Sequence, residues 1–150
     1  MMKIELKREN CVGCGLCEIY CVVAHSPSRE IIKAFKGKEE RAEARLFLEI
    51  NKPVSFPLQC QHCEDAPCVK GCITGAMYKN EKGVTLLNKE KCVSCYTCIL
   101  ECPFGAIKIS KKGSPLPLKC DLCLEAGGEP YCVNNCPNGA LILKGGSRDE

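Results

Sequence analysis

The sequence predicts a small α+β fold, built twice from one unit and held together by cysteine-ligated metal. Three observations lead there. All sixteen cysteines of the 150 residues fall into four groups of four. The groups alternate in an A-B-A-B pattern with shared flanking residues, which marks a duplicated structural unit. The segments between them are short apolar runs broken by polar, glycine-containing turns, a hairpin pattern and not a long-helix pattern.

The first group is Cys11-x2-Cys14-x2-Cys17-x3-Cys21 and the third is Cys92-x2-Cys95-x2-Cys98-x3-Cys102-Pro103. The second is Cys60-x2-Cys63-x4-Cys68-x3-Cys72 and the fourth is Cys120-x2-Cys123-x8-Cys132-x3-Cys136-Pro137. The run C-x2-C-x2-C-x3-C-P is the bacterial ferredoxin pattern, in which three thiolates hold one [4Fe–4S] cluster and the fourth reaches a second. Four complete quartets therefore point to four [4Fe–4S] clusters, with all sixteen cysteines as iron ligands. No proline follows Cys21 or Cys72, which leaves the local turn there unspecified but not the ligand.

Two other uses of cysteine fit less well. Disulfides need an oxidising compartment, and Met1 to Asn10 carries Lys3, Glu5, Lys7, Arg8 and Glu9 with no apolar signal-peptide core. Zinc sites pair two separated C-x2-C knuckles and give no reason for a third cysteine close behind. No stretch is long and apolar enough to span a bilayer. With eight aromatics and no tryptophan, the organic core must be small, so metal would supply much of the stability.

The formal charge is +3 with thiols counted as neutral. Four clusters at roughly −2 each would take it to roughly −5. The 21 Lys and Arg then compensate buried negative charge and do not mark a nucleic-acid footprint. There is no G-x-G-x-x-G, no P-loop and no nucleophile spaced with a base, so no catalytic residue is assigned. His62, inside the second group, is read as a structural contact ahead of a donor to cluster sulfur. His25, the other histidine, receives no role.

Taken in order, Ile4-Glu5-Leu6-Lys7 opens the chain as a short strand. An insertion follows between Val22 and Phe56. Within it Ser26-Pro27 reads as a helix N-cap and first residue, with Ile31, Ile32 and Phe35 on one face before Gly37. Residues 38–45 are mostly charged and suit either a solvated cover or a docking face. Arg45 to Ile50 alternates as a strand. Ala76-Met77-Tyr78 and Val84-Thr85-Leu86-Leu87 flank a polar turn as a hairpin, closed by a strand at Ala106-Ile107-Lys108-Ile109. Ala140-Leu141-Ile142-Leu143 follows group four as Ala76-Met77-Tyr78 follows group two. The hairpin joins groups two and three into an inner two-cluster module, residues 55–111. Groups one and four then make an outer module from residues 1–24 and 112–150, with residues 25–54 as a helix/strand insertion. Tandem pairing, one with two and three with four, is the alternative.

The chain resembles the four-cluster ferredoxin-like electron-transfer subunits of complex oxidoreductases, of the dimethyl-sulfoxide reductase, formate dehydrogenase and formate hydrogenlyase types. The resemblance covers nearly the whole chain and rests on the four quartets with Cys60-Gln61-His62-Cys63 and Ala66-Pro67-Cys68. Within the family it looks most like the CooF-type subunit that serves carbon monoxide dehydrogenase. The resemblance implies a duplicated bacterial-type ferredoxin fold with crossed ligation. Cys11, Cys14 and Cys17 would share cluster a with Cys136, and Cys120, Cys123 and Cys132 would share cluster b with Cys21. Cys60, Cys63 and Cys68 would share cluster c with Cys102, and Cys92, Cys95 and Cys98 would share cluster d with Cys72.

Some relatives replace a group-three cysteine, whereas this chain keeps all four. The carboxy-terminal extension and membrane anchor of longer relatives are not expected, the sequence ending at residues 144–150. The implied function is non-catalytic electron relay between a catalytic oxidoreductase subunit and a second redox protein. Carbon monoxide dehydrogenase is the favoured catalytic partner, ahead of formate, aldehyde or hydrogenase types. A hetero-oligomer in the cytoplasm is expected, with export on a signal-bearing partner left open. A freely diffusing polyferredoxin is the alternative.

Overall fold

Every regular element is short, because the four cysteine groups interrupt the chain at close intervals. The computed structural model describes residues 1–37 and 41–145. Its order is β1 (Lys3–Leu6), α1 (Leu16–Ala24), α2 (Ile31–Lys36), β2 (Phe47–Asn51), β3 (Val54–Leu58), α3 (Pro67–Lys70) and β4 (Met77–Lys79). There follow β5 (Thr85–Leu87), α4 (Thr97–Glu101), β6 (Lys108–Ile109), β7 (Pro117–Leu118), α5 (Tyr131–Asn134) and β8 (Leu141–Lys144). None of these helices is long and apolar enough to cross a membrane, among the described residues.

The strands form four separate antiparallel ribbons, β1–β8, β2–β3, β4–β5 and β6–β7. They come in like pairs. The ribbon joining the two chain ends sets Leu6 opposite Leu141, and the β4–β5 hairpin sets Leu87 opposite Met77. Leu6 and Leu87 each lie five residues before a group's first cysteine, and Met77 and Leu141 five after a group's last. The same bond extends both ladders: Lys7 N–H donates to the Ala140 carbonyl at 2.8 Å, and Asn88 N–H to the Ala76 carbonyl at 2.7 Å. The other two ribbons also match. Phe47 and Leu48 face Leu58 and Pro57, and Lys108 and Ile109 face Leu118 and Pro117. Both Pro-Leu pairs run directly into a C-x2-C segment. These two ribbons meet where Lys108 Nζ lies 3.5 Å above the Phe47 ring centre.

Several sequence expectations are corrected. Residues 106–109 were expected to close the inner hairpin as a strand, but only Lys108–Ile109 is extended, and it pairs with β7. β3 was not foreseen, because Pro57 cannot donate to a ladder and masks the strand pattern. The pairing of β2 with β3 carries the insertion's strand across residue 54 into the lead of group two. Ser26-Pro27 does not start a helix. Ser26 Oγ instead donates to the Val23 carbonyl at 2.7 Å and accepts from Arg29 N–H at 3.1 Å, closing the turn after α1. α2 begins at Ile31 and buries Ala34, while Ile32 is 81% exposed. Of the charged run, residues 38–40 lie outside the described residues.

The core contains the cysteines themselves. One cluster packs Ile4, Leu46, Val84, Leu122 and Leu141 with Cys21, Cys60, Cys120 and Cys132. A second packs Ala66, Met77 and Ile107 with Cys68 and Cys98. Thiols occupy places that leucine or valine would fill in a larger domain.

Candidate iron–sulfur centres

The tight cysteine runs need left-handed backbone. Gly13 and Gly15 adopt φ of +68° and +78°, and the matching Ser94 and Tyr96 adopt +56° and +60°. Glycine does this freely, and side chains do it under strain. Tyr96 is held there by its hydroxyl, which donates to the Pro115 carbonyl at 2.7 Å.

All sixteen thiols are free, and their electrostatics fall into sets. Burial pushes Cys68 up to about 11, and the charges of Cys60, Cys102 and Cys63 push the same way. Cys98 is raised by burial and by Cys92, Cys72 and Cys95. Cys132 is raised well above the ordinary thiol range by burial and by Cys120, Cys21 and Cys123, with Cys17 adding across the set. Cys11, Cys14, Cys17 and Cys136 line one narrow cavity of about 30 Å³. Across groups, Cys102 thus acts on Cys63 and Cys68, Cys72 on Cys95 and Cys98, and Cys21 on Cys120, Cys123 and Cys132. Cys14 and Cys95 are exposed, and the other fourteen are buried or half-buried.

The chemistry of this donor set fits a polynuclear cluster. Thiolates are required as iron ligands, yet burial here favours neutral thiols, so a cationic core must supply the compensation. Among the described residues no three His, Cys, Asp or Glu side chains close to the spacing of a single bound ion. A cubane binds its four thiolates on separate irons and holds them farther apart. Backbone donors also aim at sulfur. Cys21 Sγ accepts from Arg45 N–H at 3.1 Å, Cys136 from Ala140 at 3.2 Å, and Cys72 and Cys102 from Met77 and Ala106 at 3.4 Å. Each is the last cysteine of its group. Such bonds favour the more negative state of a cluster and tune its potential.

His62 supplies an orphaned buried atom. Its Nδ1 accepts from Thr85 N–H at 3.1 Å, which places the ring proton on Nε2, and that N–H has no protein partner among the described residues. Burial, then the charge of Lys119, pushes its pKa down to about 3. A neutral N–H donor inside group two fits a sulfur acceptor.

Sequence reading missed a second feature, a buried ion network beside group four. Asp121 accepts from His25 Nε2 at 3.0 Å and pairs with Arg45 Nη1 at 3.0 Å, while Arg45 Nη2 reaches Glu125 at 3.1 Å. Burial alone would raise Asp121, but the His25 hydrogen bond and the Arg45 charge hold it well below the carboxylate range. Burial works against charge on His25, but the Asp121 hydrogen bond together with the hydrogen bond and charge of Cys21 outweighs it, taking its pKa up to about 9. His25 and Arg45 come from the insertion and Asp121 from group four, so only the folded chain unites them. A carboxylate directly after a ligand cysteine was the one available signal.

The model of the 4Fe-4S dicluster domain matches residues 52–145. The chain belongs to that family. It is 32% identical to the thiosulfate reductase electron transfer subunit PhsB of Salmonella typhi, covering 95% of this chain and 73% of that one. It is 33% identical to the electron transport protein HydN of Escherichia coli, covering 88% and 81%. An iron-sulfur protein of Rhodospirillum rubrum is 31% identical, over 90% and 77%. The putative oxidoreductase AegA of Escherichia coli is 33% identical, but this chain spans only 21% of its length. Among solved structures, a chain of the active site complex BamBC of benzoyl coenzyme A reductase with benzoyl-CoA aligns at a TM-score of 0.50 and 24% identity, covering 95% of this chain and 78% of that one. That likeness concerns the fold.

Proposed function

We propose that this protein is the electron-transfer subunit of an oxidoreductase complex, passing electrons through four [4Fe–4S] clusters and performing no substrate chemistry of its own. The observation that carries this is the arrangement of the thiol sets. Sets a and b share α1 and the α5 segment, through Cys17 and Cys21 and through Cys136 and Cys132. Sets c and d share α3 and α4 in the same way. The charge of Cys60 acts on Cys120, so sets c and b adjoin. The order is a–b–c–d, and the exposed Cys14 and Cys95 belong to the two terminal sets. Electrons enter near one and leave near the other.

The modules of this reading are inner residues 55–111 and outer residues 1–24 with 112–150. The recurring ladder bonds support the duplication, and the β1–β8 pairing supports an outer module closed by both chain ends. The clusters, when bound, supply the one-electron chemistry. The chain's thiolates fix their spacing, its backbone N–H groups bias their potentials, and its buried apolar residues exclude water. The partners are a catalytic subunit and a second redox protein, and we place the complex in the cytoplasm. Carbon monoxide dehydrogenase is the catalytic partner to test first, on the CooF-type resemblance alone, with formate, aldehyde and hydrogenase enzymes behind it.

The test is anaerobic preparation with iron and sulfide analysis, followed by titration against candidate catalytic subunits. Sixteen iron and sixteen labile sulfide per chain are expected, since sixteen cysteines make four quartets. A stable complex with faster electron delivery to an acceptor is expected from the right catalytic subunit. Stoichiometric zinc without sulfide would overturn the cofactor, acceleration without complex formation would indicate a diffusing polyferredoxin, and substrate turnover by the isolated chain would overturn the assignment.

A further inference from the structure

Lys119 is a buried lysine with no counter-ion among the described residues. The residue is 5% exposed, and its Nζ donates to the carbonyls of Thr85 at 2.5 Å and Cys120 at 2.7 Å. Among the described residues no carboxylate lies within ion-pair distance of it. Asp121, two residues on, is engaged by His25 and Arg45. A buried cation held only by neutral carbonyls is costly, and proteins retain one where negative charge lies close.

That negative charge is the thiol sets themselves. Lys119 Nζ holds the carbonyl of Cys120 itself, in set b, and on its other side the carbonyl of Thr85, which leads to set c. The carbonyl it holds on Thr85 belongs to the residue whose N–H donates to His62, between Cys60 and Cys63. The duplication provides an internal control. Gln59 stands where Lys119 does, immediately before the C-x2-C pair, and is buried to 2% exposure with no charge. The fold therefore accommodates a neutral polar side chain at this position, and packing does not require the ammonium.

We propose that Lys119 is a positioning residue for electron transfer, an electrostatic bridge that raises the potentials of the two middle clusters together and leaves the terminal ones alone. The inference rests on the four-cluster reading. A fixed positive charge stabilises the reduced, more negative state of each nearby cluster. Because it lies between sets b and c, one charge acts on both, keeping the central step nearly level while making both clusters better acceptors from the ends.

The experiment is a potentiometric titration of the anaerobic holoprotein, followed by low-temperature electron paramagnetic resonance, on the parent, Lys119→Gln and Lys119→Arg. Lys119→Gln installs the residue that the matching position already carries, and Lys119→Arg retains the charge. Two of the four midpoints are expected to shift downward in Lys119→Gln, with two unchanged and all four restored in Lys119→Arg. A shift of one midpoint, of none or of all four overturns the proposal, as does an Arg variant that behaves like Gln. Iron and sulfide content of the same samples separates the two ideas. Full content with unmoved midpoints removes the role of Lys119 and leaves the relay standing, whereas a parent without four reducible clusters removes both.

Discussion

At the scale of single residues, the cysteines act through partners far away in sequence. Cys21 is a neighbour of Cys120 and Cys132 in charge, and Cys72 of Cys98. Under the crossed ligation we propose, Cys21→Ser and Cys120→Ser should remove or convert the same cluster, and Cys72→Ser and Cys92→Ser a second one. Electron paramagnetic resonance of the reduced variants checks this, and tandem pairing would instead join Cys21 with Cys60. Asp121 gives a different kind of prediction. Its carboxylate is 9% exposed and answers both His25 and Arg45, whose side chains are 7% and 16% exposed. Asp121→Ala removes the group that holds His25 charged and leaves the half-buried Arg45 without its inner partner, and breaking a buried pair in this way costs about 3 kcal/mol or more. Urea unfolding of the holoprotein should show a loss of that order. Asp121→Asn, which keeps the hydrogen-bond acceptor, should lose less.

Among the elements, we propose that the insertion is an addition to a unit that can form without it. In the inner half, the last cysteine of group three accepts from the N–H four residues on, Cys102 from Ala106. In the outer half the same bond runs from Arg45 to Cys21, across 24 residues. Leu46 and Ile107, one residue further, are both buried. Removing residues 25–44 joins Ala24 to Arg45 and recreates the four-residue spacing. Gly105 takes φ +62° at the matching position, so Ala24→Gly should accompany the deletion. We expect this shortened chain to keep sixteen iron per molecule, with lower thermal stability because His25 no longer meets Asp121. Loss of four iron would mean that the segment is part of the centre. Undiminished binding to the catalytic subunit would assign the segment to cover and not to docking.

For the whole molecule, eight strands of two to five residues, five α-helices of four to nine and two three-residue 3-10 turns make up the described regular structure. Two-stranded ribbons and single-turn helices are marginal alone, and the buried thiols resist ionisation until a metal core compensates them. Iron removal by an anaerobic chelator should therefore abolish most of the far-ultraviolet circular dichroism together with the visible absorbance, in one transition. A native-like spectrum after chelation would show that the organic core suffices.

The sequence by itself pointed to iron–sulfur chemistry, because the spacing of three thiols on one tight loop is a local property, whereas the fourth thiol of each proposed centre comes from a distant group. It also determined the β4–β5 hairpin, where apolar runs flank a glycine turn, and the matched flanks of the groups from which we propose the duplication. Group membership of the cysteines was legible for the same reason. The partners of β6 and β3 were not, since a two-residue strand carries no periodicity and proline erases the donor pattern. The start of α2 was obscured by Ser26, whose hydroxyl serves the turn behind it and not a helix ahead. Only the tertiary structure decided that His25, Arg45 and Asp121 form one network, that Lys119 lies buried beside Cys120 and Thr85, and that Cys14 and Cys95 are the most exposed of the thiols. These depend on which distant surfaces meet and how much solvent they exclude, and burial is a property of the packed chain that no single segment encodes.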